Sequence, residues 1–99
     1  MNKGYIYKLN CPDGYFYIGS TTDYLSRRIG KHKSDSKIKN NKLYNHINKF
    51  KWDFIKIIII DKFDDINIKD LLNKEYELIN KEYSEYYLNE IINNKLIIN

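Results

Sequence analysis

The sequence predicts a small α/β sandwich, with a three-stranded, mainly antiparallel sheet flanked by helices and elements in the order ββααβα. Three observations carry this prediction. Two aromatic and β-branched runs flank a proline and glycine turn near the amino terminus, three later stretches repeat their apolar residues at helical spacing, and an isoleucine run precedes the last of them.

Tyr5-Ile6-Tyr7-Lys8-Leu9 and Tyr15-Phe16-Tyr17-Ile18 read as a β-hairpin joined through Cys11-Pro12-Asp13-Gly14. Thr22 or Asp23 is placed to cap a helix in which Leu25, Ile29 and His32 share a face, over residues 23–33, with Gly30 weakening it. Ser34 to Lys42 has no apolar period and reads as a basic loop. Leu43, Tyr44, Ile47 and Phe50 return to helical spacing as a short second helix. Trp52 to Ile60 is strongly β-forming, and its continuous isoleucines suit a strand buried on both faces in the middle of the sheet. Asp64-Asp65-Ile66-Asn67 starts a third helix over residues 68–82, with Ile68, Leu71, Leu72, Tyr76 and Ile79 on its stripe. The tail from Tyr86 onward takes no firm assignment.

A length of 99 residues at 42% hydrophobic content allows one core, expected as a single domain over 1–99 with its core at about 4–89 and a tail at 90–99. No apolar stretch has the length of a signal peptide or a membrane span, which predicts a soluble, intracellular protein in cytoplasm or nucleus. Cys11 is the only cysteine, so an internal disulfide and a multi-cysteine zinc cage are excluded. The net charge of +4 is unevenly spread. Residues 1–60 carry 10 Lys and 2 Arg against 4 Asp, a net of +8, and residues 61–99 carry 5 Lys against 9 acids, a net of −4. That asymmetry suits a polyanion held on one side, although lysine-rich composition throughout the chain is an equal explanation.

Several residues are out of keeping with a plain core. Glu75 lies four after Leu71 and four before Ile79, on the apolar stripe, whereas Glu77 falls among polar positions. A carboxylate there needs a counter-charge, a hydrogen bond or a metal, unless it snorkels to solvent beside a lysine. Arg28 and His32 share the inward edge of the first helix, and Arg27 and Arg28 are the only arginines. A guanidinium fork matches phosphate oxygens as an ammonium cannot, and the alternative is a pair of surface arginines. Tyr7 and Tyr17 sit at equivalent phase on the hairpin strands, where core packing explains either one alone.

Taken together these residues resemble the GIY-YIG nuclease family, from Ile6 to about Asn89. Tyr17-Ile18-Gly19 matches the second name-giving triplet literally, and Ser20-Thr21 follows it. The first triplet is Tyr5-Ile6-Tyr7, with Tyr5 in the glycine position and Gly4 one place earlier. The family's arginine and histidine four apart match Arg28 and His32, with Arg27 as a rival clamp. Its late-helix glutamate matches Glu75, and its late asparagine matches Asn89.

The resemblance implies the GIY-YIG fold and a DNA endonuclease whose catalytic residues are Tyr7, Tyr17, Arg28, His32, Glu75 and Asn89. Glu75 would bind Mg²⁺ or Mn²⁺, Arg28 would neutralise phosphoryl charge, and Tyr7 would orient or deprotonate water. Lys31, Lys33, Lys37, Lys39 and Lys42 are expected to grip the DNA backbone, with a targeting partner or a dimer serving double-strand cleavage. Three other readings stay open: a non-cutting nucleic-acid-binding module of the same fold, a tyrosine-rich protein-interaction domain, and a zinc site from Cys11, His32 and His46.

Overall fold

β1 (Asn2–Asn10) runs down the middle of a three-stranded antiparallel sheet, between β2 (Phe16–Thr21) and β3 (Lys56–Ile66). A computed structural model describes residues 2–82, 86–89, 91–92 and 95–96. Alternation along β1 explains its central place. Tyr7 and Leu9 enter one hydrophobic cluster with Ile29, Leu43, Tyr44 and Ile47, while Ile6 enters another with Ile18, Leu71 and Ile79. The two clusters lie on opposite faces of the sheet, because successive side chains of a strand point to opposite sides.

The hairpin is as the sequence predicts, in register from Tyr5↔Thr21 to Asn10↔Phe16. Its turn is closed by Gly14 N–H donating to the Cys11 carbonyl at 3.1 Å, with Gly14 at a φ of 90° that a side chain would disfavour. α1 (Leu25–Asp35) begins two residues later than expected and runs two residues further, into the expected loop. Neither Thr22 nor Asp23 caps it. Asp23 Oδ1 accepts from Tyr24 N–H at 2.8 Å, and Tyr24 holds the cap position without a side-chain bond. α2 (Lys42–Ile47) is capped by Asn41, whose side chain accepts from Tyr44 N–H at 2.8 Å. α3 (Ile68–Glu82) matches the expected bounds, and Asn67 Oδ1 accepts from Asp70 N–H at 2.8 Å.

The isoleucine run departs from expectation. Trp52–Phe54 is a short 3-10 turn rather than strand, and β3 then lies at the edge of the sheet, not in its middle. Ile57, Ile58, Ile59 and Ile60 keep 39–52% of their surface exposed. β3 also bulges: Ile6 pairs with Asp61 and Tyr7 with Ile59, leaving Ile60 as the extra residue. A run of isoleucines has no period that separates a central strand from an edge strand, so composition could not place it.

Residues 86–89 run beside β2 on its outer edge. Phe16 N–H donates to Tyr86 O at 3.0 Å, Leu88 N–H donates to Phe16 O at 2.8 Å, and Phe16 and Tyr87 form a parallel bridge. Beyond them β4 (Ile91–Ile92) and β5 (Lys95–Leu96) pair antiparallel as a separate two-stranded unit. Among the described residues no helix is long and apolar enough to cross a membrane.

Candidate active site

The site begins with Gly19. It lies opposite Tyr7 in the β1–β2 register, and a Cβ there would stand 2.5 Å from Tyr7 Oη and 2.8 Å from Tyr17 Cε1. Only a residue without a side chain lets the Tyr7 ring lie across β2 beside Tyr17, with ring centroids 6.4 Å apart. Both rings then meet the buried edge of α1.

His32, from α1, is the hub. Its Nε2 is 2.7 Å from Tyr7 Oη and its Nδ1 is 2.9 Å from Tyr44 Oη, and its ring stands edge-on to Tyr7, Tyr17 and Tyr44. Burial, with Arg28 adding to it, holds the imidazole down at about 4, so the ring is neutral at physiological pH and has one donor and one acceptor nitrogen. Arg28 hydrogen-bonds to Tyr7 and can only donate. The Tyr7 oxygen therefore accepts from Arg28, and the two ring nitrogens of His32, one a donor and one an acceptor, bridge Tyr7 and Tyr44.

Arg28 is half-buried, and the neighbouring phenols hold it firmly protonated against the opposing effect of burial. Arg27 points away: its side chain is 70% exposed and pairs with Asp23 at 3.4 Å. Tyr7 has no exposed surface, and burial outweighs the lowering influence of Arg28, pushing its hydroxyl up to about 12. Tyr17 is pushed up too, first by burial and then by Tyr7 and Glu75.

Glu75 projects from α3 as its stripe position predicts, with 2% of its surface exposed, while Glu77 is exposed. Ser20 hydrogen-bonds to Glu75. Its Oε2, fully buried, has no hydrogen-bond partner among the described residues. Burial raises the carboxyl to about 7, against the lowering effects of Ser20 and Arg28. A buried acceptor without a donor costs about 1–3 kcal/mol or more, so packing alone does not account for a carboxylate at this position.

These groups line one cleft of about 430 Å³, with Tyr17, Arg28, His32 and Tyr44 on one side and Glu75 on the other. Asn89 lines it as well, but its amide is occupied: Oδ1 accepts from Ile18 N–H at 3.1 Å and Nδ2 donates to Ile18 O at 3.0 Å. It holds residues 86–89 against β2 and so closes the cleft wall. Of the five expected lysines, Lys31 and Lys39 line the cleft, Lys39 pairing with Asp35 at 3.3 Å. Lys33, Lys37 and Lys42 are exposed and do not line it. Lys31 also borders a second hollow of about 450 Å³ that continues past Arg28 along Ser20 to Asp23.

Sequence reading missed Ser20, Gly19 as a spacer, and Tyr44. The first two sit within the triplet and its neighbour, where a glycine inside a strand is itself a signal of close approach. Tyr44 left no signal beyond its place on an apolar helix face. The rival grouping of Cys11, His32 and His46 does not form, because His32 lies between Tyr7 and Tyr44, while Asp13 joins Cys11 and His46.

The chain belongs to the GIY-YIG family of nuclease domains: the family model described as the GIY-YIG catalytic domain matches residues 3–88. The three-stranded antiparallel sheet with its helices is accordingly the GIY-YIG fold. The chain is also similar to the MSV199 domain-containing protein 146R of Invertebrate iridescent virus 6, at 36% identity over 85 residues, 84% of this chain and 34% of that protein. It thus spans about a third of the length of that relative. No solved structure matches it. GIY-YIG nucleases in general depend on a divalent metal.

Proposed function

We propose that the chain is a DNA endonuclease that hydrolyses a phosphodiester bond in the cleft between α1 and α3, with one divalent cation at Glu75. The observation that carries this reading is a buried carboxylate whose Oε2 has no hydrogen-bond partner among the described residues, in the same cleft as a half-buried arginine. The cation fits the donor set: one carboxylate, raised in pKa by burial, facing a polar cleft with room for water suits Mg²⁺ or Mn²⁺, hard ions that keep several waters. When bound, the ion supplies positive charge against the phosphoryl and leaving oxygens.

The chain's own groups do the rest. Arg28 donates to phosphoryl oxygens from a wall that excludes bulk water, where a preorganised charge acts most strongly. Tyr17, at the cleft surface, orients the attacking water. Tyr7 serves as base from beneath it. In the metal-free protein burial keeps Tyr7 protonated, so this role needs a second positive charge beside Arg28. His32 stays neutral, so the proton that Tyr7 gives up leaves to solvent through the cleft, while His32 Nε2 and Tyr44 keep the phenol oriented. Asn89 positions the wall and does not touch the phosphate.

A plasmid-nicking assay in magnesium tests the reading. Glu75→Gln, which keeps shape but cannot hold the ion, abolishes nicking, and Glu77→Gln leaves it intact. Arg28→Lys loses most activity, and Arg27→Lys retains it. Wild-type nicking by Glu75→Gln would overturn the cation's place at Glu75, whereas a wild-type chain that binds DNA without cutting would establish the non-cutting module instead.

A further inference from the structure

We propose that Cys11, Asp13 and His46 form a second metal site, selective for zinc, that fastens the β1–β2 turn to α2. It does not rest on the nuclease reading, and its ligands differ in kind from the carboxylate at Glu75. One ligand atom from each of the three residues lies within 4.8 Å of the others. A tetrahedral zinc with bonds of 2.0–2.3 Å sets its ligand atoms roughly 3.3–3.8 Å apart. Small side-chain rotations therefore close the site, drawing the sulfur in and parting His46 Nε2 from Asp13 Oδ2, now 2.7 Å from each other.

Separate constraints hold each ligand. The Cys11 backbone is bonded on both sides, its N–H donating to Tyr15 O at 2.8 Å and its carbonyl accepting from Gly14 N–H at 3.1 Å. That leaves the nearly buried thiol free to rotate only about its own side-chain bonds. Asp13 is fixed by the turn, with Oδ1 accepting from Tyr15 N–H at 3.3 Å, so Oδ2 is the oxygen turned to His46. The His46 ring is stacked on Tyr15 at 4.3 Å and backed by Phe50 at 6.0 Å. Its side chain is only 11% exposed.

The donor set decides the ion. A thiolate, an imidazole and a carboxylate suit zinc and disfavour magnesium, which takes oxygen ligands. As the Zn–S bond forms, the Cys11 proton leaves to solvent, and thiolate and carboxylate together balance the charge of the ion. Water completes the tetrahedron on the side of exposed Asp13. The consequence reaches the cleft, because α2 carries both His46 and Tyr44, the residue that bonds to His32.

Cobalt titration of the full chain provides the test. The expected result is a saturable, 1:1 thiolate-to-cobalt charge-transfer band, displaced by zinc, with zinc raising the melting temperature of the wild type. Cys11→Ser and His46→Gln lose the band. Asp13→Asn, at an exposed turn, lowers zinc affinity by more than the roughly 10–100-fold expected of an outer-shell partner. Glu75→Gln keeps the band. Absence of the band in the wild type, its survival in His46→Gln, unchanged zinc affinity in Asp13→Asn, or its loss in Glu75→Gln would each overturn the proposal.

Discussion

Glu75 and His32 are buried ionisable groups whose shifts act on stability in opposite directions. Glu75 rises from the ordinary 4.5 to about 7, so its contribution is full below pH 4.5 and is lost as pH climbs through 7, at a cost of about 3 kcal/mol. His32 falls from 6.5 to about 4, so its contribution is full above pH 6.5 and is lost as pH drops through 4. Between 4.5 and 6.5 the two largely cancel. Only a comparison of variants isolates the carboxylate: in chelator, urea unfolding should show Glu75→Gln gaining roughly 2–3 kcal/mol over the wild type at pH 8 and little at pH 4. The same change abolishes cleavage under the proposed function, so stability and activity separate at one atom. An identical pH profile for the two proteins would mean that Glu75 is not held in the environment described.

At the scale of elements, two glycines have opposite meanings. Gly30 lies in α1 with nothing within 4 Å of a Cβ placed there, so Gly30→Ala should stabilise the chain by about 1 kcal/mol through helix propensity. Gly19→Ala has no such room, since Tyr7 and Tyr17 are both buried and cannot swing away. It should destabilise by about 1–3 kcal/mol through overpacking and displace the Tyr7 hydroxyl from His32. Urea midpoints that move the same way for both variants would contradict the packing described. β3 is the other instructive element. Fully burying an isoleucine is worth roughly 1.5–3 kcal/mol, and Ile57 to Ile60 forgo much of that, so hydrogen bonds to β1 carry more of this strand's attachment than burial does. A long apolar edge of this kind is a site for pairing with another strand.

For the whole molecule, the cleft lies where helices from the two faces of the sheet meet beyond β2. The charge asymmetry read from sequence becomes local there, because Lys31, Lys39 and Arg28 border the cleft while Lys33 and Lys37 point elsewhere. Replacing Lys31 and Lys39 together by glutamine should weaken duplex binding on all sequences alike and flatten the salt dependence by roughly 0.9 per lost contact. Lys33→Gln with Lys37→Gln should change the slope less. Single-turnover cleavage at saturating enzyme should stay near wild type in both, because these side chains hold the backbone and not the transition state. Equal slopes for the two pairs would move the DNA path away from the cleft rim.

The order of elements, the hairpin, the bounds of α3 and the inward placement of Arg28, His32 and Glu75 were determined by the sequence itself. Each depends on periodicity or turn chemistry, which act over a few neighbouring residues. Tertiary structure alone decided that β1 and not β3 is the central strand, since a continuous apolar run has no phase to read. It also decided that Arg28 rather than Arg27 meets Tyr7, that Tyr44 completes the histidine's bonds, and that Asp13 rather than His32 stands with Cys11 and His46. These are meetings of side chains from different elements, and they depend on how the helices settle on the sheet, which no local pattern encodes.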